Sequence, residues 1–185
     1  PARDPGGEED TPRMTAMTFD PATYLDATLL GRLTDLRVAE PAAIREHAQQ
    51  RLRREQLAPR GRLVILAADH PGRMVTQALG DDLAMGDRRA YLARILRVVA
   101  SDFVDGLMAT PDILEEVLAA DLLSVHAGRP SFLAGKLLIG CMNRGGLAGT
   151  CFELRDTFTA YDDAGLAAMN LDGGKLMFRL DPEDP

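Results

Sequence analysis

The residues best equipped for chemistry stand directly after short apolar runs. Leu63-Val64-Ile65-Leu66-Ala67-Ala68 ends in Asp69-His70-Pro71-Gly72, so a carboxylate and an imidazole arrive where the chain must turn. Asp69 can orient a sugar hydroxyl or accept a proton, and His70 can work as acid or base near neutral pH. A later run, Lys136–Met142, ends in Asn143-Arg144-Gly145-Gly146. That group offers an amide, a guanidinium able to grip phosphate or carboxylate, and two glycines that let main-chain N–H groups approach an anion. A plain turn with a solvated Arg144 has the same spacing. Arg179, near the end of a fourth run, is a further candidate for holding an anionic group. Asp69 and His70 are therefore the catalytic candidates, and Asn143, Arg144 and Arg179 the substrate-binding ones.

Other reactive side chains read as structural. The chain has two lysines, Lys136 and Lys175. A lysine that forms a Schiff base must meet a substrate carbonyl. With a fourth strand spanning Lys175–Leu180, Lys175 starts its strand about 13 Å below Arg179, at the wrong mouth of the sheet. Lys136 has the same defect. His47 lies beside an apolar helical stripe without an evident partner and reads as a boundary residue. Cys141 reads as a small buried hydrophobe, and the scattered methionines as core fillers. Asp69, His70 and Asp181 do not have a standard metal-ligand spacing.

The elements that position these groups follow a repeat. The apolar run at 62–68 is bounded by a Pro/Gly stop, as expected of a buried parallel strand. A helix at about 87–100 follows, with Leu92, Ile95, Leu96 and Val99 on one face. Val104–Ala109 is a second strand, and Thr110-Pro111-Asp112 opens another helix. Lys136–Met142 is a third strand, a short helix lies near Asp162–Met169, and Lys175–Leu180 is the fourth strand. Strands alternating with helices imply a parallel sheet, whose carboxyl ends are where ligands bind. Along the fourth strand Lys175, Met177 and Arg179 share the face expected to point inward. No GxGxxG or Walker pattern follows any strand.

Residues 1–18 are charged, Gly/Pro-rich and read as a disordered leader. Residues 19–60 carry N-terminal helices, one opening at Asp20-Pro21 and running to Gly31, the next at Glu40-Pro41. Residues 61–185 hold four strands at about 31 residues per unit, and eight such units fill the roughly 250 residues of a (β/α)8 barrel. The expected fold is thus α/β, a TIM-type barrel of about four βα units behind N-terminal helices. Half a barrel would expose two sheet edges and an uncovered inner face. The expectation is a fragment of a longer protein or a chain that pairs with another half.

Composition narrows the classes. In 185 residues, 46% are hydrophobic, enough for one domain with a core, and the formal charge of −7 has no basic patch to engage nucleic acid. No apolar stretch approaches a membrane span. Two cysteines make neither a disulfide framework nor a zinc site by spacing. A cytoplasmic protein that needs no cofactor, with room for a homo-oligomer, is the expectation.

The segments LAADHPGRM, VDGLMATPDILEEV, GKLLIGCMNRGGL and LDGGKLMFRLDPED resemble an actinobacterial family of (β/α)8 proteins described as deoxyribose-phosphate-aldolase-like or class I fructose-bisphosphate-aldolase-like. The resemblance spans about residues 20–185 and is most specific at DHPGRM and MNRGG. It implies a carbon–carbon lyase acting by a Schiff base on a phosphorylated sugar or sugar acid, in sugar or inositol catabolism. It implies that Asp69 engages substrate. It also implies a Schiff-base lysine on a later strand, beyond residue 185, so that this chain alone would be inactive. A barrel isomerase, a metal-dependent lyase and a non-catalytic sugar-binding or assembly partner are the competing readings.

Overall fold

The structure, a computed structural model, describes residues 19–143 and 159–177. The expected leader at 1–18 lies outside them. Within them the chain is a mixed α/β fold around a four-stranded parallel sheet, with strands adjacent in the order of the sequence.

A short 3-10 turn at Pro21–Thr23, capped by Asp20, precedes helix α1, Ala27–Ala39. The expectation that the first helix stops at Gly31 is corrected. Asp26 is the N-cap, its carboxylate accepting from the Leu29 amide, and the helix continues because Leu33 and Leu36 bury against later elements. Helix α2, Pro41–Gln50, turns Ile44 and Ala48 inward. Strand β1 is Ile65–Ala68, α3 is Arg88–Val99, and β2 is Gly106–Ala109. Helix α4 is Pro111–His126, β3 is Leu137–Cys141, α5 is Asp163–Ala168 and β4 is Gly173–Lys175.

The layers follow from side-chain rows across the parallel ladder. Leu66, Leu107 and Leu138 stand in one row facing the helices, and Leu107 and Leu138 are fully buried. They meet Leu92, Ile95, Leu96 and Val99 of α3 and Ile113, Leu114, Val117 and Leu118 of α4 in one core. Each such side chain contributes about 1.5–3 kcal/mol on burial. Helix α4 is apolar on most of its circumference because the sheet covers one side, while α1 and α2 pack against the helix as well. The opposite row, Ala67, Met108, Ile139 and Gly173, is partly or fully exposed. Among the described residues the sheet is not closed.

The fourth strand differs from expectation. It begins at Gly173, not Lys175, and its ladder with β3 pairs Gly140 with Gly174 and Cys141 with Lys175. The reason is steric. A Cβ on Gly140 would lie 2.6 Å from the Tyr161 ring and 2.7 Å from Leu166, and one on Gly174 would lie 2.6 Å from Met142 Sδ. These glycines belong to the strands because neighbouring side chains press flush against the backbone there. Residues 178–180 of the expected strand lie outside the described residues.

The far ends of the strands are tied by ion pairs. Asp172 accepts from Arg51, Arg53 and the Leu138 amide. Arg54 bonds Asp105, whose carboxylate also takes the Val64 amide. No helix among the described residues is long and apolar enough to cross a membrane.

Candidate functional site

Continuing the ladder one step past β1 and β2 places Asp69, Thr110, Cys141 and Lys175 in one row, on the sheet face away from the helices. Four consecutive strands thus deliver a carboxylate, a hydroxyl, a thiol and an amine to the carboxyl-terminal rim. The outer two meet: Lys175 Nζ donates to Asp69 Oδ2 at 2.8 Å. Three inter-strand steps separate the first and fourth strands of a flat sheet by about 14 Å, farther than these side chains reach together. The sheet must therefore curl around this face, bringing its first and last strands toward each other.

The expectation for Lys175 is corrected by this register. With β4 running over Gly173–Lys175, Lys175 ends the strand and stands level with Asp69, not at the opposite mouth. Lys136 does lie at the amino-terminal end, where its amine donates to the Ser101 and Val104 carbonyls, each at 2.6 Å.

Asp69 is buried. Burial alone would raise its pKa, but the Lys175 hydrogen bond and charge, with the charge of Arg73, outweigh it and hold the carboxyl below its ordinary range. Arg73 arrives through the turn Pro71–Arg73, whose amides at 73 and 75 both donate to the His70 carbonyl. That turn folds the guanidinium back so that Nη1 lies 3.7 Å from Asp69 Oδ2, and Nη2 reaches Met177 Sδ. Gly72 lets the turn approach β2, since a Cβ there would lie 2.8 Å from Thr110 Cγ2.

Asp69, Arg73, Thr110, Asp112, Cys141 and Asn143 line a cleft of about 420 Å³, with Thr159 and Ala160 completing a wall. Asp112 pairs with Arg88 at 2.7 Å. Its burial is outweighed by bonds from Thr110 and Arg88, so its pKa too is lowered. Burial, then the charge of Asp69, pushes the Cys141 thiol up to about 11, which keeps it protonated at neutral pH. Behind the cleft, burial and the Asp69 charge raise Tyr91 to about 12; its hydroxyl approaches the His70 amide without making a hydrogen bond of good geometry.

The sequence candidates fare differently. Asp69 points inward. His70 starts the turn, is half exposed with Nδ1 4.0 Å from Asp69 Oδ1, and does not line the cleft. Asn143 lines it, but its carboxamide donates to the Met177 carbonyl at 2.9 Å and accepts from the Met177 amide at 3.0 Å. It thus revises from a free substrate-binding amide to a clamp on the segment after β4. Arg144 and Arg179 lie outside the described residues, as does Asp181. Lys175, Arg73 and Thr110 were missed. Lys175 ends a strand that opens on Gly173-Gly174, two residues without the apolar side chains that mark a strand in sequence.

His47 is also corrected: it has a partner. Its Nε2 lies 2.7 Å from Oδ2 of Asp121, which is fully buried and accepts from Ser131 Oγ and the Phe132 amide. This joint ties α2, α4 and the loop before β3, away from the cleft. Among the described residues, no three His, Cys, Asp or Glu side chains gather as a metal site.

A family model described as Cgl0159-like matches residues 61–185. The crystal structure of Cgl0159 from Corynebacterium glutamicum (Brevibacterium flavum) superposes with a TM-score of 0.67 at 34% identity, over 78% of this chain and 46% of that one. The chain therefore spans less than half the length of that solved relative. No curated protein matches.

Proposed function

Because the chain belongs to the Cgl0159-like family through residues 61–185, we propose that it is the N-terminal part of a (β/α)8 carbon–carbon lyase of the aldolase type. Its substrate is a phosphorylated sugar or a sugar acid. The observation that carries this reading is the pairing of the buried Asp69 carboxylate with Lys175 at the carboxyl-terminal rim of the sheet. The curl that joins β1 to β4, and the unbroken parallel order of the strands, support half of a barrel as the frame.

The roles follow from charge and position. Asp69, held ionised, binds a substrate hydroxyl and takes its proton as the adjacent carbon–carbon bond breaks. Lys175 keeps that carboxylate in place and supplies positive charge where the carbonyl oxygen becomes electron-rich. Arg73 sits beside them to meet an anionic group, and Arg144 and Arg179 remain candidates for the same task. Asn143 positions the backbone after Lys175. His70, at the outer edge, is a candidate proton shuttle.

The test is cleavage. The full-length protein that carries this chain is incubated with ketose 1-phosphates and 2-keto-3-deoxy sugar acids, and release of triose phosphate or pyruvate is followed. Cleavage of one class is expected, falling on the order of 100-fold or more in Asp69→Asn. Isomerisation without cleavage, or no reaction with either class, would remove the lyase reading.

A further inference from the structure

We propose that Asp112 is a specificity-determining residue of the cleft, accepting substrate hydroxyls on the β2 side and turning away a second anionic group there. The substrate then carries one phosphate or carboxylate and not two. This deepens the lyase reading and rests on its choice of substrate class.

Helix α4 opens at the cleft, with Thr110 as N-cap and Pro111 and Asp112 in its first turn. The amino-terminal end of a helix is ordinarily a place for phosphate, because unpaired amides and the helix dipole both face it. Here that place is taken. Pro111 has no amide to offer. The Asp112 carboxylate accepts from its own amide, from the Thr110 hydroxyl and from Arg88, whose Nη1 stands at 2.7 Å. A carboxylate fixed in this way answers the dipole and fills the position of the anion.

Arg88 does not cancel this charge. It also pairs with Glu116, at 2.9 Å, while Glu115 and Glu116 both pair with Arg37 of α1. Three carboxylates on the first turns of α4 are thus answered by two guanidiniums, and the set keeps one negative charge. Asp112 is its member on the cleft wall, with a half-exposed side chain. On the β1 side the cleft is lined by Asp69 and Arg73. The anion of the substrate belongs with Arg73, and the β2 side offers acceptors, the Asp112 carboxylate and the Thr110 hydroxyl oxygen. A sugar hydroxyl donates to either one. A phosphate dianion has no proton to donate and meets like charge.

Calorimetric titration of the full-length protein tests this with two pairs of probes, alongside the cleavage assay. The pairs are fructose 1-phosphate against fructose 1,6-bisphosphate, and 2-keto-3-deoxygluconate against its 6-phosphate. In at least one pair the single anion should bind on the order of 10-fold tighter at low salt, with the preference shrinking as salt is added. Asp112→Asn should bring that ratio close to one, and Asp112→Glu, which keeps the charge, should preserve it. Equal affinities within both pairs, or a preference that survives in Asp112→Asn, would overturn the assignment, and cleavage would leave the lyase reading standing. The preference without cleavage would keep the assignment and remove the lyase reading. No binding of any probe would overturn the assignment, and with no cleavage it would end both.

Discussion

The amine of Lys175 and the carboxylate of Asp69 meet at 2.8 Å although two strands lie between theirs in the sheet and 106 residues separate them in the chain. This contact draws the sheet's two edges together over Thr110 and Cys141. It also leaves a buried carboxylate dependent on a cation from the far edge.

Breaking the pair from one side should be costly. Lys175→Met leaves the buried Asp69 carboxylate with Arg73 as its nearby cation, and a loss of about 3 kcal/mol is expected in urea unfolding. Asp69→Asn with Lys175→Met should cost clearly less than the sum of the single changes. Strict additivity would mean that the two side chains do not interact.

Acid should weaken the fold in a defined window. The pKa values of Asp69, Asp112 and Asp172 are all lowered from 3.8, each because hydrogen bonds and cations outweigh the burial that would raise it. A depressed folded pKa contributes stability that is fully present above the unfolded value. Below 3.8 the unfolded chain takes up protons first, so this contribution falls with pH and is gone once the folded carboxylates are protonated as well. Unfolding free energies from about pH 6 to about pH 3 should show this slope, shallower in Asp172→Asn. An equal slope in that variant would contradict the assignment.

The joint at Asp121 should matter more than any of its partners alone. Asp121→Ala strands the Phe132 amide, the Ser131 hydroxyl and His47 around a cavity, and a loss of about 3 kcal/mol or more is expected. Ser131→Ala removes one donor and should cost about 1 kcal/mol. Thermal unfolding measures both. Equal effects would show that Asp121 does not hold its other two partners.

Tyr91→Phe should not destabilise the protein. Its buried hydroxyl makes no hydrogen bond of good geometry, so deleting it removes a desolvated group and gives a change between zero and about 1 kcal/mol in favour of folding. A loss above about 1 kcal/mol would mean the hydroxyl has a strong partner. In the parent, absorbance titration should find Tyr91 and Tyr161 ionising only near 12.

The strand–helix alternation was legible because it rests on local patterns. Apolar runs before Asp69, Thr110 and Asn143 mark three strands, and the Leu92–Val99 stripe marks α3. The fourth strand was misplaced because Gly173-Gly174 carries the same local signal as a turn. What makes those glycines strand residues is Met142 and Leu166 packed against Gly174, and nothing in the segment itself says so. His47 likewise looks solitary until α4 brings a buried Asp121 beside it.

Asp69 was legible as a residue at a strand end. Its partner was not, since β4 runs over Gly173–Lys175 and not Lys175–Leu180, which moves the lysine from the start of a strand to its end. Similarly, the Asn143 amide reads as available until the chain after β4 takes up both of its ends.

By itself the sequence determined the parallel βα order, the apolar faces and the carboxylate after the first strand, since each depends on neighbours a few residues away. The tertiary structure alone decided that Lys175 meets Asp69 and that the two stand beside the cleft. Register and curl depend on packing between segments more than 100 residues apart, and no local pattern encodes that distance.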